Sequence, residues 1–152
     1  MRRLLLLGCL LLPLPAAAQS GDAFCAGLQR AIQLAANGFL EVPLNEHLIP
    51  GTIEQRRGVL EDQDGPARAA LIVVVYADPT RRETAALESH FHGYAERVAR
   101  CLPGAASNGP LPVARGVMSS WQTEQARIRL RRDAGDLYSD PAKVEITVAS
   151  RW

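Results

Sequence analysis

Three sets of residues in this chain have the types that chemistry calls for. The first is Ser89-His90-Phe91-His92. Imidazoles bind metals and carry protons near neutral pH, so a small periplasmic hydrolase or metal-dependent enzyme using His90 and His92 is one reading. Residues two apart on a helix point about 200° apart, however, so these two do not converge on one ion. Glu88 and His92, at i and i+4, share a face and offer two ligands. A zinc site needs a third, for which His47 is the candidate. The plainer reading, polar residues flanking a core stripe, is preferred, and no metal or cofactor is expected. A serine nucleophile is not signalled either. There is no Gly-x-Ser-x-Gly elbow, and neither Ser119 nor Ser120 has a base at a telling distance in sequence. No glycine-rich phosphate loop is present, so no catalytic residue is assigned.

The second set is Arg127, Arg129 and Arg131, alternating with Ile128 and Leu130. On a strand this places three guanidiniums along one face. Arg132 extends the row, and Arg115 is expected on a neighbouring strand. Arginine grips carboxylates and phosphates with paired N–H donors, which suits an acidic partner or ligand. A solvated outer face, partly paired across a hairpin with Glu145, is the commoner meaning of such a pattern. The row is still the strongest candidate binding surface that the chain offers.

The third set is the cysteines. Cys9 lies in an apolar leader, and Cys25 and Cys101 remain as an even pair. In an oxidising compartment that pair is expected to form a disulfide. Closing so long a loop stabilises by about 4 kcal/mol in the chain-entropy account. Two isolated cysteines without CxxC spacing do not suit a metal.

The leader sets the compartment. Arg2-Arg3 precedes an apolar run over 4–14, and Ala16 and Ala18 supply the small residues before cleavage at Gln19. Residues 1–18 therefore read as a secretory signal peptide, too short to span a bilayer, and 19–152 as a single domain. The expected location is the periplasm or the exterior. Leu6-Leu7-Gly8-Cys9 resembles the lipobox of bacterial lipoproteins, but only about five apolar residues precede Cys9 and the run continues past it. The chain has 17 basic and 16 acidic residues, and losing Arg2 and Arg3 leaves 15 against 16, a net of −1. That balance gives no reason to expect a nucleic-acid partner. No later apolar run is long enough for a membrane span.

Which elements must position these residues follows from periodicity. Cys25, Leu28, Ile32 and Ala35 form a helical stripe, capped by Ser20 or Asp22 and ended by Asn37-Gly38. Leu87, Phe91, Tyr94, Val98 and Cys101 form a second, over 80–102. Either a Thr80/Glu83 capping box or Asp78 with Pro79 starts it, and Pro103-Gly104 ends it. The cysteines thus sit in the first turn of one helix and the last turn of the other. That is easiest to bridge if the two lie side by side.

Strands are expected over 52–60, 68–77, 113–123, 126–132 and 143–150, with loops over 41–51, 103–112 and 133–141. Leu71-Ile72-Val73-Val74-Val75 is apolar on both faces and reads as an interior strand. Val144, Ile146 and Val148 alternate with Lys143, Glu145 and Thr147. The order is α-β-β-α-β-β-β: an α+β fold, an antiparallel sheet of about five strands with both helices on one face. The alternation from Val144 to Trp152 resembles the terminal strand of outer-membrane β-barrels over about nine residues, but two strong helical stripes argue against a barrel. Export, one stapling disulfide and no catalytic motif together suggest a non-enzymatic binding domain for a protein or small acidic ligand of the cell envelope. Immunity proteins, enzyme inhibitors and envelope accessory factors have this size and compartment.

Overall fold

Among the residues described, two helices and six strands follow in the order α1 (Ala23–Ala35), β1 (Glu54–Leu60), β2 (Arg68–Ala77), α2 (Ala85–Cys101), β3 (Ala106–Val113), β4 (Gly116–Gln122), β5 (Ala126–Asp133), β6 (Lys143–Ser150). The structure, a computed structural model, describes residues 22–43, 45–61, 66–78, 80, 84–136 and 140–151. The leader over 1–18 and Trp152 lie outside them. The strands form one antiparallel sheet in the order β1-β2-β6-β5-β4-β3.

Both helices cover the same face of that sheet. Phe24, Leu28, Ala31 and Ala35 of α1 and Leu87, Phe91 and Val98 of α2 share one core with Leu71, Val73, Ile128, Leu130, Val144, Ile146 and Val148. Of these, Ile128, Leu130, Val144, Ile146 and Val148 have the inward parity that alternation assigned them. The α+β class and the one-sided helix layer are therefore as expected, with six strands where about five were read. The Cys25–Cys101 disulfide is formed, its Cα atoms 5.0 Å apart across a sequence separation of 76. Around it the start of α1 meets the end of α2. The Arg97 guanidinium lies 4.2 Å from the Phe24 ring centroid and 3.7 Å from the Asp22 carboxylate.

Asp22 caps α1 by accepting from the Phe24 N–H at 3.0 Å. The helix ends as Asn37-Gly38 required, with Gly38 at φ 65° and then Phe39 at φ 63°. A left-handed phenylalanine costs about 1–2 kcal/mol. Full burial of its ring, worth about 3 kcal/mol, offsets that. Gly27 of α1 was not singled out by the sequence, yet its missing side chain is what lets a loop dock. A Cβ there would stand 2.1 Å from the Leu48 carbonyl oxygen.

Three expectations need correction. The second helix begins at Ala85 and is capped by Thr84, whose hydroxyl accepts from the Leu87 N–H at 3.2 Å. Thr80 and Asp78 are not its caps; Glu83 and Pro79 lie outside the described residues. Asp78 instead accepts from the Thr80 N–H at 2.8 Å, a local bond that competes with helix formation. Next, part of the loop read over 103–112 is β3. Its prolines hid it, but at a sheet edge a missing N–H costs little. A register shift between Asn108 and Leu111 takes Gly109 and Pro110 out of the ladder. Finally, the strand read over 113–123 is two strands. Val113 ends β3, Ala114 and Arg115 (φ 60°) form the turn, and Gly116 opens β4.

Two stability measurements follow. Reducing the disulfide, or replacing both cysteines by serine, is expected to lower unfolding free energy by about 4 kcal/mol, read from denaturant melts with and without reductant. Gly27→Ala would ordinarily strengthen a helix by about 1 kcal/mol. Here it is expected to destabilise by about 2 kcal/mol or more, and a rise in the urea midpoint would contradict the docking of 48–49 on α1.

Candidate binding face

The arginine row is where alternation placed it, on the sheet face away from the helices. Each of its members has a neighbour in register on β4 and another on β3. Arg127 stands opposite Gln122, which faces Ala106; Arg129 opposite Ser120, which faces Asn108; Arg131 opposite Met118, which faces Leu111. Beside the register shift of β3 lies a hollow of about 330 Å³ lined by Arg127, Arg129, Gln122, Ser120, Asn108 and Met118, among others.

The three arginines are not equivalent. Arg131 lies 3.1 Å from the Asp133 carboxylate and donates to the Ala114 carbonyl at 2.8 Å. Asp133 is buried, and it also accepts from the Gly135 N–H at 2.8 Å and lies 3.4 Å from Arg115. Arg131 is thereby drawn to the turn end of the strand and does not line the hollow. Arg127 and Arg129 do line it, and both also interact within the chain.

Arg132 and Arg115 depart from the expected row. Odd and even positions of a strand face opposite sides, so Arg132 joins the helix side, 3.8 Å from Glu88 of α2. Arg115 occupies the β3–β4 turn, within 3.4–3.6 Å of Asp133, Asp136 and Asp140. It bridges three carboxylates at an acidic corner.

The other half of the same face is dry. Ala70, Ile72 and Ala149 are buried there with Leu60 packed against them, and Val74 and Thr147 are buried too. Arg56 stands in register with Ile72. Its guanidinium and the Ile72 Cδ1 both close on Gly58, so long side chains from the edge strand shield the apolar centre. The dry centre thus lies between the exposed Glu54 and Arg56 of β1 and the wetter β5–β4–β3 side.

The histidines do not assemble. His92 lies 3.7 Å from Glu88, as their spacing required. His90 stacks on the Tyr76 ring with centroids 3.9 Å apart. His47, His90 and His92 each line a different hollow. His47 lies with β1 and His92 with β5, three strand spacings or roughly 14 Å across the sheet. Among the described residues no group of three or more His, Cys, Asp or Glu side chains is placed to hold a metal ion. Ser119 is buried on the helix side, while Ser120 faces the hollow.

One titratable group has a strongly shifted environment. The buried Asp78 carboxylate accepts from the hydroxyls of Thr80 and Thr84, the Thr80 N–H and the Tyr76 phenol. The two hydroxyls do most to lower its pKa, from 3.8 to about 2. Burial and then the Asp78 charge push the Tyr76 phenol up. Asp78 ties the end of β2 to the start of α2, a structural role that the sequence did not disclose.

Asn108, Met118 and Gln122 were not singled out from sequence. The alternation of 116–122 held the signal for the last two, but the partner strand that completes the hollow was hidden by its prolines. Comparison with known proteins gives no likeness to extend this: no family model, curated protein or solved structure matches the chain.

Asp78 gives a pH test. Its folded pKa is depressed, so its stabilising contribution is complete above about pH 4 and is lost as pH falls through about 2. Asp78→Asn is expected to lower Tm at neutral pH, with the gap to the parent closing between about pH 4 and 2. Thermal melts across that range that stay parallel would refute it.

Proposed function

We propose that this chain is an exported, non-enzymatic binding domain that engages a protein or small acidic ligand through the sheet face opposite its helices. One observation carries the reading: the helices pack on a single face, and the β5–β4–β3 part of the other bears Arg127 and Arg129 around an open hollow. The disulfide supports an oxidising compartment, the periplasm or the exterior. Among the described residues no helix is long and apolar enough to cross a membrane. Three histidines lining three separate hollows favour binding over catalysis.

Site-specific photo-cross-linking tests this. A cross-linker at the exposed Gln122 is expected to give a discrete adduct in intact cells, and one at the exposed Gln33 of α1 is expected to give none. The recovered protein is expected to begin at Gln19. Adducts from Gln33 alone, or equal labelling from both positions, would contradict the reading.

A further inference from the structure

We propose that the hollow over β3, β4 and β5 receives an extended acidic peptide segment of a partner protein, of the pattern acidic-x-acidic-x-apolar, with Arg127 and Arg129 meeting its carboxylates. This rests on the binding-face reading above and adds the partner's chemistry.

Among the described residues, the charged side chains that line the hollow are of one sign. Arg127 and Arg129 are its only charged lining residues among those described, and Ser120, Asn108 and Gln122 add hydroxyl and amide donors. That donor set suits carboxylate oxygens, which only accept when ionised. Each guanidinium has five N–H donors in a fixed fork, enough to serve an intrachain partner and an incoming carboxylate together.

Spacing points to a peptide. Arg127 and Arg129 are successive outward positions of one strand, about 7 Å apart along it. An extended chain repeats its side chains at the same interval, so carboxylates at alternate positions meet successive guanidiniums. A free monocarboxylate or phosphate meets one guanidinium at a time, and the two carboxylates of a small amino acid are not held at the strand interval as those of an extended chain are. The next outward position, Arg131, is drawn to Asp133, and in register with it lie Met118 and the exposed Leu111. The third contact is therefore apolar, which sets the final residue of the pattern.

The edge of the sheet is a poorer dock than its face. Pro110 and Pro112 of β3 have no N–H to give, and the register shift beside them breaks the ladder. An added strand would not pair along that edge, so the peptide lies across the hollow.

The test uses the disulfide-bonded mature chain and synthetic peptides carrying Glu-x-Glu-x-Leu, with a Gln-x-Gln-x-Leu counterpart, free glutamate and inorganic phosphate. NMR amide shifts locate binding and calorimetry measures it. The acidic peptide is expected to shift amides of β3, β4 and β5 and to weaken with added salt. Arg127→Gln with Arg129→Gln should weaken it at least about tenfold, and so should Ser120→Glu, which keeps both arginines. Arg30→Gln, on an exposed turn of α1, should leave it unchanged.

Equal binding of the glutamine peptide, shifts elsewhere, indifference to the double substitution, or no shift at millimolar concentration would each overturn the proposal. Free glutamate or phosphate binding as tightly as the peptide would also overturn it, as a small-anion site. A partner cross-linked at Gln122 that ignores both arginine substitutions would overturn the acidic chemistry and leave the binding-face reading standing.

Discussion

The bond between Cys25 and Cys101 is the constraint from which the rest follows. It fixes the beginning of the first helix to the end of the second, with Cα atoms 5.0 Å apart. Two amphipathic helices joined in this way present their apolar stripes together, and one sheet face satisfies both. Leu71, Val73, Ile128, Leu130, Val144, Ile146 and Val148 supply that face. The other face is left to the strands' own side chains. Over β2 and the end of β6, Ala70, Ile72, Val74 and Ala149 are buried, with the Lys143–Glu145 pair at the start of β6; over β5, β4 and β3 the side chains are charged and amide-bearing around the hollow.

Local electrostatics then separates residues that look identical in sequence. Arg127, Arg129 and Arg131 share a strand, a face and a side chain. Arg131 lies beside the buried Asp133 carboxylate, at 3.1 Å. The turn residue Arg115 is held among three aspartates in the same corner. That end of the strand sets two arginines among three aspartates, while the charged side chains lining the hollow, among the described residues, are Arg127 and Arg129. The sheet thus runs from an aspartate-rich turn that binds two arginines to a hollow lined by two others.

Features governed by short-range periodicity were legible in the sequence. The stripe from Leu87 to Cys101 located the second helix, and the alternation of 126–132 and 143–150 gave the parity of every residue in β5 and β6. Parity also placed Arg132, and grouping it with Arg131 in one row ignored that rule. What could not be read depended on tertiary context. Pro110 and Pro112 look like loop residues until the strand is known to be an edge. Asp78 looks like a helix cap until Thr80 and Thr84 fold back onto it. Gly27 looks unremarkable for its helix until the 48–49 backbone is set against it. The hollow shares the first of these difficulties, since Ala106, Ser107, Asn108 and Leu111 of its lining come from the strand that composition disguised.

The most direct test of the one-sided architecture is solvent accessibility by NMR with a soluble paramagnetic agent. The account predicts strong broadening of the Met118 and Leu111 methyl signals and protection of those from Val144, Ile146 and Val148. Broadening of the three inner residues to the same degree as Met118, or a protected Met118 in the isolated protein, would contradict it.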